Sequence, residues 1–220
     1  MIFLNIDYDY FFDSQEDNTI NKNKKKWVKS LNYFSKVDKK LITNQYCFLD
    51  HHKALFYWDK IETNNNHCIH IDAHHDLYSD ELTDWNMPNK IRGNFIGVGN
   101  YLFKALKEQK IGSITWVIPE WLDKKYAYQD LIKYIGQGYM RFISIIYYSE
   151  LEEIHDRIFL TISISPEWIP KIKTEIPEIL RFLKEFNFED NKINSLKKEL
   201  ADRIKYNDFS DNPLQYRFQF

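Results

Sequence analysis

The sequence predicts an open α/β domain, and two observations carry that prediction. Short apolar runs alternate along the chain with segments in helical register. Polar residues of catalytic type gather where the apolar runs end, which is where open α/β sheets bind their ligands. The bulk numbers agree. A chain of 220 residues with 44% apolar and 17% aromatic content fits one domain, 1–220, around a sizeable core. Its 30 basic and 32 acidic residues give a net charge of −2, so no overall field favours nucleic acid or a membrane surface.

The elements follow in order. Met1 to Ile6 is an apolar run read as a strand, and it ends in Asp7-Tyr8-Asp9, two carboxylates at i, i+2. After Asp13 a polar stretch runs to Lys26, with Lys24-Lys25-Lys26 read as a solvated loop or helix start. Trp27, Leu31 and Phe34 fall at i, i+4, i+7, so residues 25–37 are expected as an amphipathic helix. Tyr46 to Leu49 is a second strand, followed by Asp50-His51-His52 and then a helical segment from Lys53 to Lys60. A histidine at a strand-to-helix junction is placed to reach a metal at the sheet edge, and spacing does not separate His51 from His52 for that role.

Cys68 to Ile71 reads as a third, buried strand. Asp72, His74 and Asp76 follow at alternate positions, expected to lie on one side of an extended segment. Carboxylate oxygen with imidazole nitrogen suits Mn²⁺ or Zn²⁺. Carboxylates crowded at one sheet edge repel each other, and a bound cation is the usual remedy.

Residues 77–92, with Asp80, Glu81, Asp84, Trp85 and Pro88, read as an irregular active-site rim. Gly93, Gly97 and Gly99 match neither phosphate-loop motif and are read as close backbone approach, leading into a helix that ends near Lys107. Ile114 to Ile118 is a strand ended by Pro119 and Glu120; 126–135 is a helix; Met140 to Tyr148 and Ile158 to Ile164 are strands. The last is followed by Ser165-Pro166-Glu167-Trp168, again a carboxylate past a strand end. Two surface helices are expected from Lys173 to Lys205, then an aromatic tail, Tyr216 to Phe220. Cys47 and Cys68 read as reduced residues of apolar strands. No secretory leader and no membrane span are recognisable, so a cytoplasmic, soluble protein is expected.

Asp72-Ala73-His74-His75-Asp76 resembles the DAHxD signature of the arginase/deacetylase superfamily, and Arg92 to Gly97 resembles the SGNxHG segment that follows it in arginases. Asp7-Tyr8-Asp9 resembles their later DxD motif, here placed first, as a circular permutation would place it. The combination IDYDYF, DHHKALFYW, HIDAHHDL and ISPEWIP is similar to a small arginase-like family that includes the peptide arginases of ribosomal peptide natural-product pathways. The resemblance covers residues 1–13, 50–58, 70–100 and 158–170. It implies a three-layer fold, a mostly parallel sheet with helices on both faces and the motif order permuted.

It also implies two Mn²⁺ ions. Asp72, Asp76 and His51 would hold one and His74 and Asp9 the other, with Asp7 and Asp72 bridging both. The implied reaction is attack by a metal-activated hydroxide on the guanidinium carbon of an arginine in a precursor peptide, giving ornithine and urea. Glu167, then Glu120, are the candidate partners of the guanidinium. Asn94 matches the arginase asparagine that contacts the free amino acid, whereas Arg92 replaces a serine, which fits a peptide better than free arginine. Ile96 stands where arginases carry a proton-shuttling histidine, so His75, His52 or a water must protonate the leaving amine. Other readings are a small-molecule ureohydrolase acting on free arginine or an agmatine-like compound, a one-zinc deacylase, and a non-catalytic peptide-binding module.

Overall fold

The computed structural model describes residues 1–12, 35–78, 99–166, 169 and 172–207. Among the described residues six strands form a single sheet: β1 (Ile2–Asp7), β2 (Ile42–Phe48), β3 (Asn66–Ile71), β4 (Ile111–Ile118), β5 (Ile143–Tyr147) and β6 (Ile158–Ser163). The order is β2-β6-β1-β3-β4-β5, and every neighbouring pair is parallel. β1 and β6 are interior strands and read IFLNID and IFLTIS, near-continuous apolar runs of the kind a parallel sheet covered on both faces selects.

Alternate residues of the central strands feed two separate cores. Leu4, Ile6, Ile71, Leu160 and Ile162 pack with α5 (Ile172–Glu185) and α6 (Asp190–Asn207) on one face. Phe3, Cys68 and Phe159 pack on the other with α1 (Lys53–Trp58), α2 (Tyr101–Lys107) and α3 (Lys124–Ile135), and α4 (Gln137–Met140) follows α3. Each of these fully buried aliphatic or aromatic side chains contributes about 1.5–3 kcal/mol of burial energy. α6 buries Ile193, Leu196, Leu200 and Ile204, a stripe at helical spacing, and α5 and α6 fall where two surface helices were expected.

The observed elements differ from the expected ones at their ends. β2 begins at Ile42, because Thr43 and Asn44 lie on the sheet edge where polar residues are tolerated. β5 is shorter than 140–148, since Met140 closes α4 and Tyr148 opens a 3₁₀ turn. The helix expected over 25–37 falls outside the described residues up to 34. Val37 is not helical and instead forms a parallel bridge with Ile154. The 77–92 rim beyond Tyr78, the glycine segment before Gly99, Trp168 and the aromatic tail also lie outside the described residues. Both cysteines are free, with Cys68 fully buried. Among the described residues no helix is long and apolar enough to cross a membrane.

Candidate metal centre

The strands β1 and β3 lie side by side, and their register ends in the pair Ile6–Ile71. The next residue on each is an aspartate, so Asp7 and Asp72 leave the sheet together at its carboxyl edge. Asp7 then caps the 3₁₀ turn Tyr8–Phe11 by accepting from the Asp9 N–H at 3.2 Å. That turn, not an extended strand, carries Asp9 toward Asp72. After Ile71 the chain bends as well: the His74 N–H donates to Asp72 Oδ1 at 2.8 Å, and Asp76 adopts φ +52°. The expected extended segment is thereby corrected, for a physical reason. Residues i and i+4 on a strand stand about 13 Å apart, too far to share an ion. The bend and the left-handed residue bring them together.

His51 arrives from the loop after β2, which is tied to α6 by an Asp50–Arg203 ion pair of 2.9 Å. Its Nδ1 stands 2.5 Å from Asp7 Oδ2, 3.2 Å from Asp76 Oδ2 and 3.5 Å from Asp72 Oδ2. His74 Nδ1 lies 3.3 Å from Asp9 Oδ2 and 3.6 Å from Asp72 Oδ1. The side chains form three overlapping groups with ligand-type atoms within 4.8 Å of one another: Asp7, His51, Asp72; Asp9, Asp72, His74; and His70, Asp72, Asp76. Asp72 belongs to all three.

Four aspartates, Asp7, Asp9, Asp72 and Asp76, are each at most 3% exposed here. Both oxygens of Asp9, Oδ2 of Asp72 and of Asp76, and His51 Nδ1 are buried with no partner of hydrogen-bond geometry. Buried carboxylate oxygens without donors are costly. Ligands of one octahedral ion at about 2.1 Å lie about 3 Å apart, and the three contacts of His51, at 2.5, 3.2 and 3.5 Å, scatter around that spacing. The donor set could therefore hold a metal cation.

Electrostatics say the same. Burial, with Asp7 and Asp72 adding, pushes the Asp9 carboxyl well above its usual range. Burial raises Asp76 likewise, against the pull of His51. Asp72 also suffers from burial, but the surrounding His70, His51 and His74 outweigh it and hold its carboxyl well below the usual range. Burial alone would lower His51 and His74; their carboxylate neighbours, led by Asp76 and Asp9 respectively, raise both. A cluster that holds protons in place of a cation must release them when one binds.

The six residues the sequence pointed to as ligands are thus brought together, and of the histidine pair it is His51 that joins them. His52 sits at the start of α1 with its ring edge on Phe56. His75 is not directed at the cluster. Its Nδ1 accepts from the Leu77 N–H at 2.9 Å, and its Nε2 faces Asp130 Oδ2 at 3.6 Å, in a surround of Tyr78, Trp116 and Tyr134. Of the three proton sources considered, His75, His52 and a water, His75 thus stands with its Nδ1 on the Leu77 N–H and its Nε2 facing Asp130. Glu120 is exposed past the end of β4, one strand over from β3, and accepts from Ser149 Oγ at 3.2 Å. Glu167, Arg92 and Asn94 lie outside the described residues.

Sequence reasoning did not single out His70, Ser165 or Asn5. Ser165, at φ +47°, donates its hydroxyl to Asp7 Oδ2 at 2.6 Å. His70 and Asn5 each stand two residues before a ligand on the same strand face, and a polar residue inside an apolar run was the available signal. No protein-family model, curated protein or solved structure matches this chain.

Proposed function

We propose that the chain is an arginase-like hydrolase, using two divalent cations, manganese in this reading, to convert arginine side chains of a peptide to ornithine with release of urea. The observation that carries it is the buried group of four aspartates and two histidines at the carboxyl ends of neighbouring parallel strands, with Asp72 shared throughout. The resemblance of the DAHxD and DxD segments to the arginase/deacetylase superfamily, and a three-layer fold of that kind with permuted motif order, belong to the same reading.

By the resemblance, Asp7, His51, Asp72 and Asp76 would hold one cation, and Asp9, His74 and Asp72 the other, with Asp7 also shared. Such a pair supplies Lewis acidity and a water made nucleophilic near neutral pH. The remaining work falls to the chain itself. The guanidinium needs carboxylate acceptors, for which Glu120 and Glu167 are the candidates. Cleavage of the C–N bond needs a proton on the departing ornithine amine. With His75 turned to Asp130, His52 or solvent supplies it. A one-zinc deacylase would leave the buried carboxylates of Asp9 and Asp76 without a role.

The test is mass spectrometry of an arginine-containing peptide incubated with the protein and Mn²⁺, with free arginine in parallel. Loss of CH₂N₂ from the peptide with urea released supports the reading. Reaction of free arginine alone makes the protein a small-molecule ureohydrolase, and reaction of an acylated lysine alone makes it a deacylase.

A further inference from the structure

Thr161, Asn5, His70 and Trp116 occupy one row across β6, β1, β3 and β4, register partners in turn. Thr161, Asn5 and His70 are fully buried, each flanked along its strand by apolar residues on both sides. Their hydrogen bonds have one consistent direction. His70 Nε2 is 3.1 Å from the His74 carbonyl, which can only accept, so the ring proton is on Nε2. In the neutral ring Nδ1 is then an acceptor, and Asn5 offers it the amide NH₂, at 3.0 Å. The second amide hydrogen reaches the Tyr101 hydroxyl at 2.6 Å, and Asn5 Oδ1 is left to accept from Thr161 Oγ1 at 2.7 Å. One carbonyl fixes every orientation behind it.

The carbonyl so held belongs to the bend that carries Asp72, His74 and Asp76. The same bend is gripped by the Trp116 indole, which donates to the Asp72 carbonyl at 3.0 Å. His70 Nε2 also lies 3.3 Å from Asp72 Oδ2 and 3.7 Å from Asp76 Oδ2, but a nitrogen that carries its proton toward a carbonyl offers no lone pair to a cation. Nothing in sheet packing calls for these three polar side chains, since matched apolar replacements in a core are near neutral.

We propose that Thr161, Asn5 and His70 form a positioning row that fixes the ligand-bearing bend for cation binding, His70 being a positioning residue and not a ligand. This rests on the two-cation reading above. The experiment is calorimetric titration of the chelator-stripped full chain with Mn²⁺ in the wild type, His70→Leu, His70→Gln and Thr161→Val, with thermal melts of the metal-free forms as a check on folding. His70→Leu is expected to weaken binding about 10- to 100-fold with the number of ions unchanged. His70→Gln, whose amide N–H stands in for Nε2–H, is expected to recover affinity to within about threefold of wild type, and Thr161→Val to weaken it by less than His70→Leu. Wild-type affinity in His70→Leu, or in Thr161→Val should the leucine variant not fold, overturns the positioning row. Loss of one ion in His70→Leu makes His70 a ligand and overturns it too. A wild type that binds no cation defeats the metal centre itself.

Discussion

At the scale of single residues the site works against the fold that carries it. Asp76 is 3% exposed, its Oδ2 has no hydrogen-bond partner, and its backbone is left-handed at φ +52°. Asparagine tolerates that backbone about as well as aspartate does. Asp76→Asn therefore changes charge and little else. Because burial raises the folded carboxyl above its ordinary value of 3.8, the metal-free folded state holds a proton that the unfolded chain has already lost. Stability on this account is highest at low pH and falls as pH rises from about 4 through the folded value. Metal-free Asp76→Asn should escape that loss and unfold about 1–2 kcal/mol later than wild type at neutral pH. Urea melts in chelator between pH 5 and 8 test this; a variant less stable than wild type throughout would mean that Asp76 is not strained. With Mn²⁺ present the order should reverse, since the variant gives up a ligand.

At the scale of elements, Gly136 separates α3 from α4 at φ +75°, ψ 160°, a conformation almost confined to glycine. Gly138, two residues on, is inside α4. An added Cβ meets nothing within 4 Å at either position, so the backbone alone decides the outcome. Gly136→Ala should destabilise by about 1–3 kcal/mol. Gly138→Ala should be neutral or stabilise by up to about 1 kcal/mol. Denaturant midpoints at unchanged m-value would read both; equal midpoints would mean that the α3–α4 joint relaxes around the substitution.

At the scale of the whole molecule, the sequence made the strands legible because a parallel sheet covered on both faces demands apolar runs, which are near-continuous in β1 and β6 and short in β3. The candidate ligands were legible because carboxylates and histidines stand where those runs stop. The way they converge was not. The 3₁₀ turn at Asp9 and the bend after Asp72 are capped locally, but the Trp116 indole that holds the Asp72 carbonyl comes from β4, and the Thr161–Asn5 bond joins residues 156 apart in sequence. The turning away of His75 depends on Asp130 of α3, which no local pattern reveals. The same long-range convergence gives the last prediction. Asp7, His51 and Asp72 come from β1, the loop after β2, and β3, so a cation held by them ties together segments with no sequence proximity. Binding only to the folded chain, a cation at 100 times its dissociation constant adds about 2.7 kcal/mol. For a domain of this size that is roughly 5–10 °C in Tm per ion. Stripping with EDTA should lower the melting temperature by that amount or more, and Mn²⁺ should restore it over a titration that ends at two ions per chain. A single zinc equivalent that restores it fully would favour the deacylase. A melting temperature indifferent to both chelator and metal would leave the four buried aspartates without the counter-charge that the two-ion reading gives them.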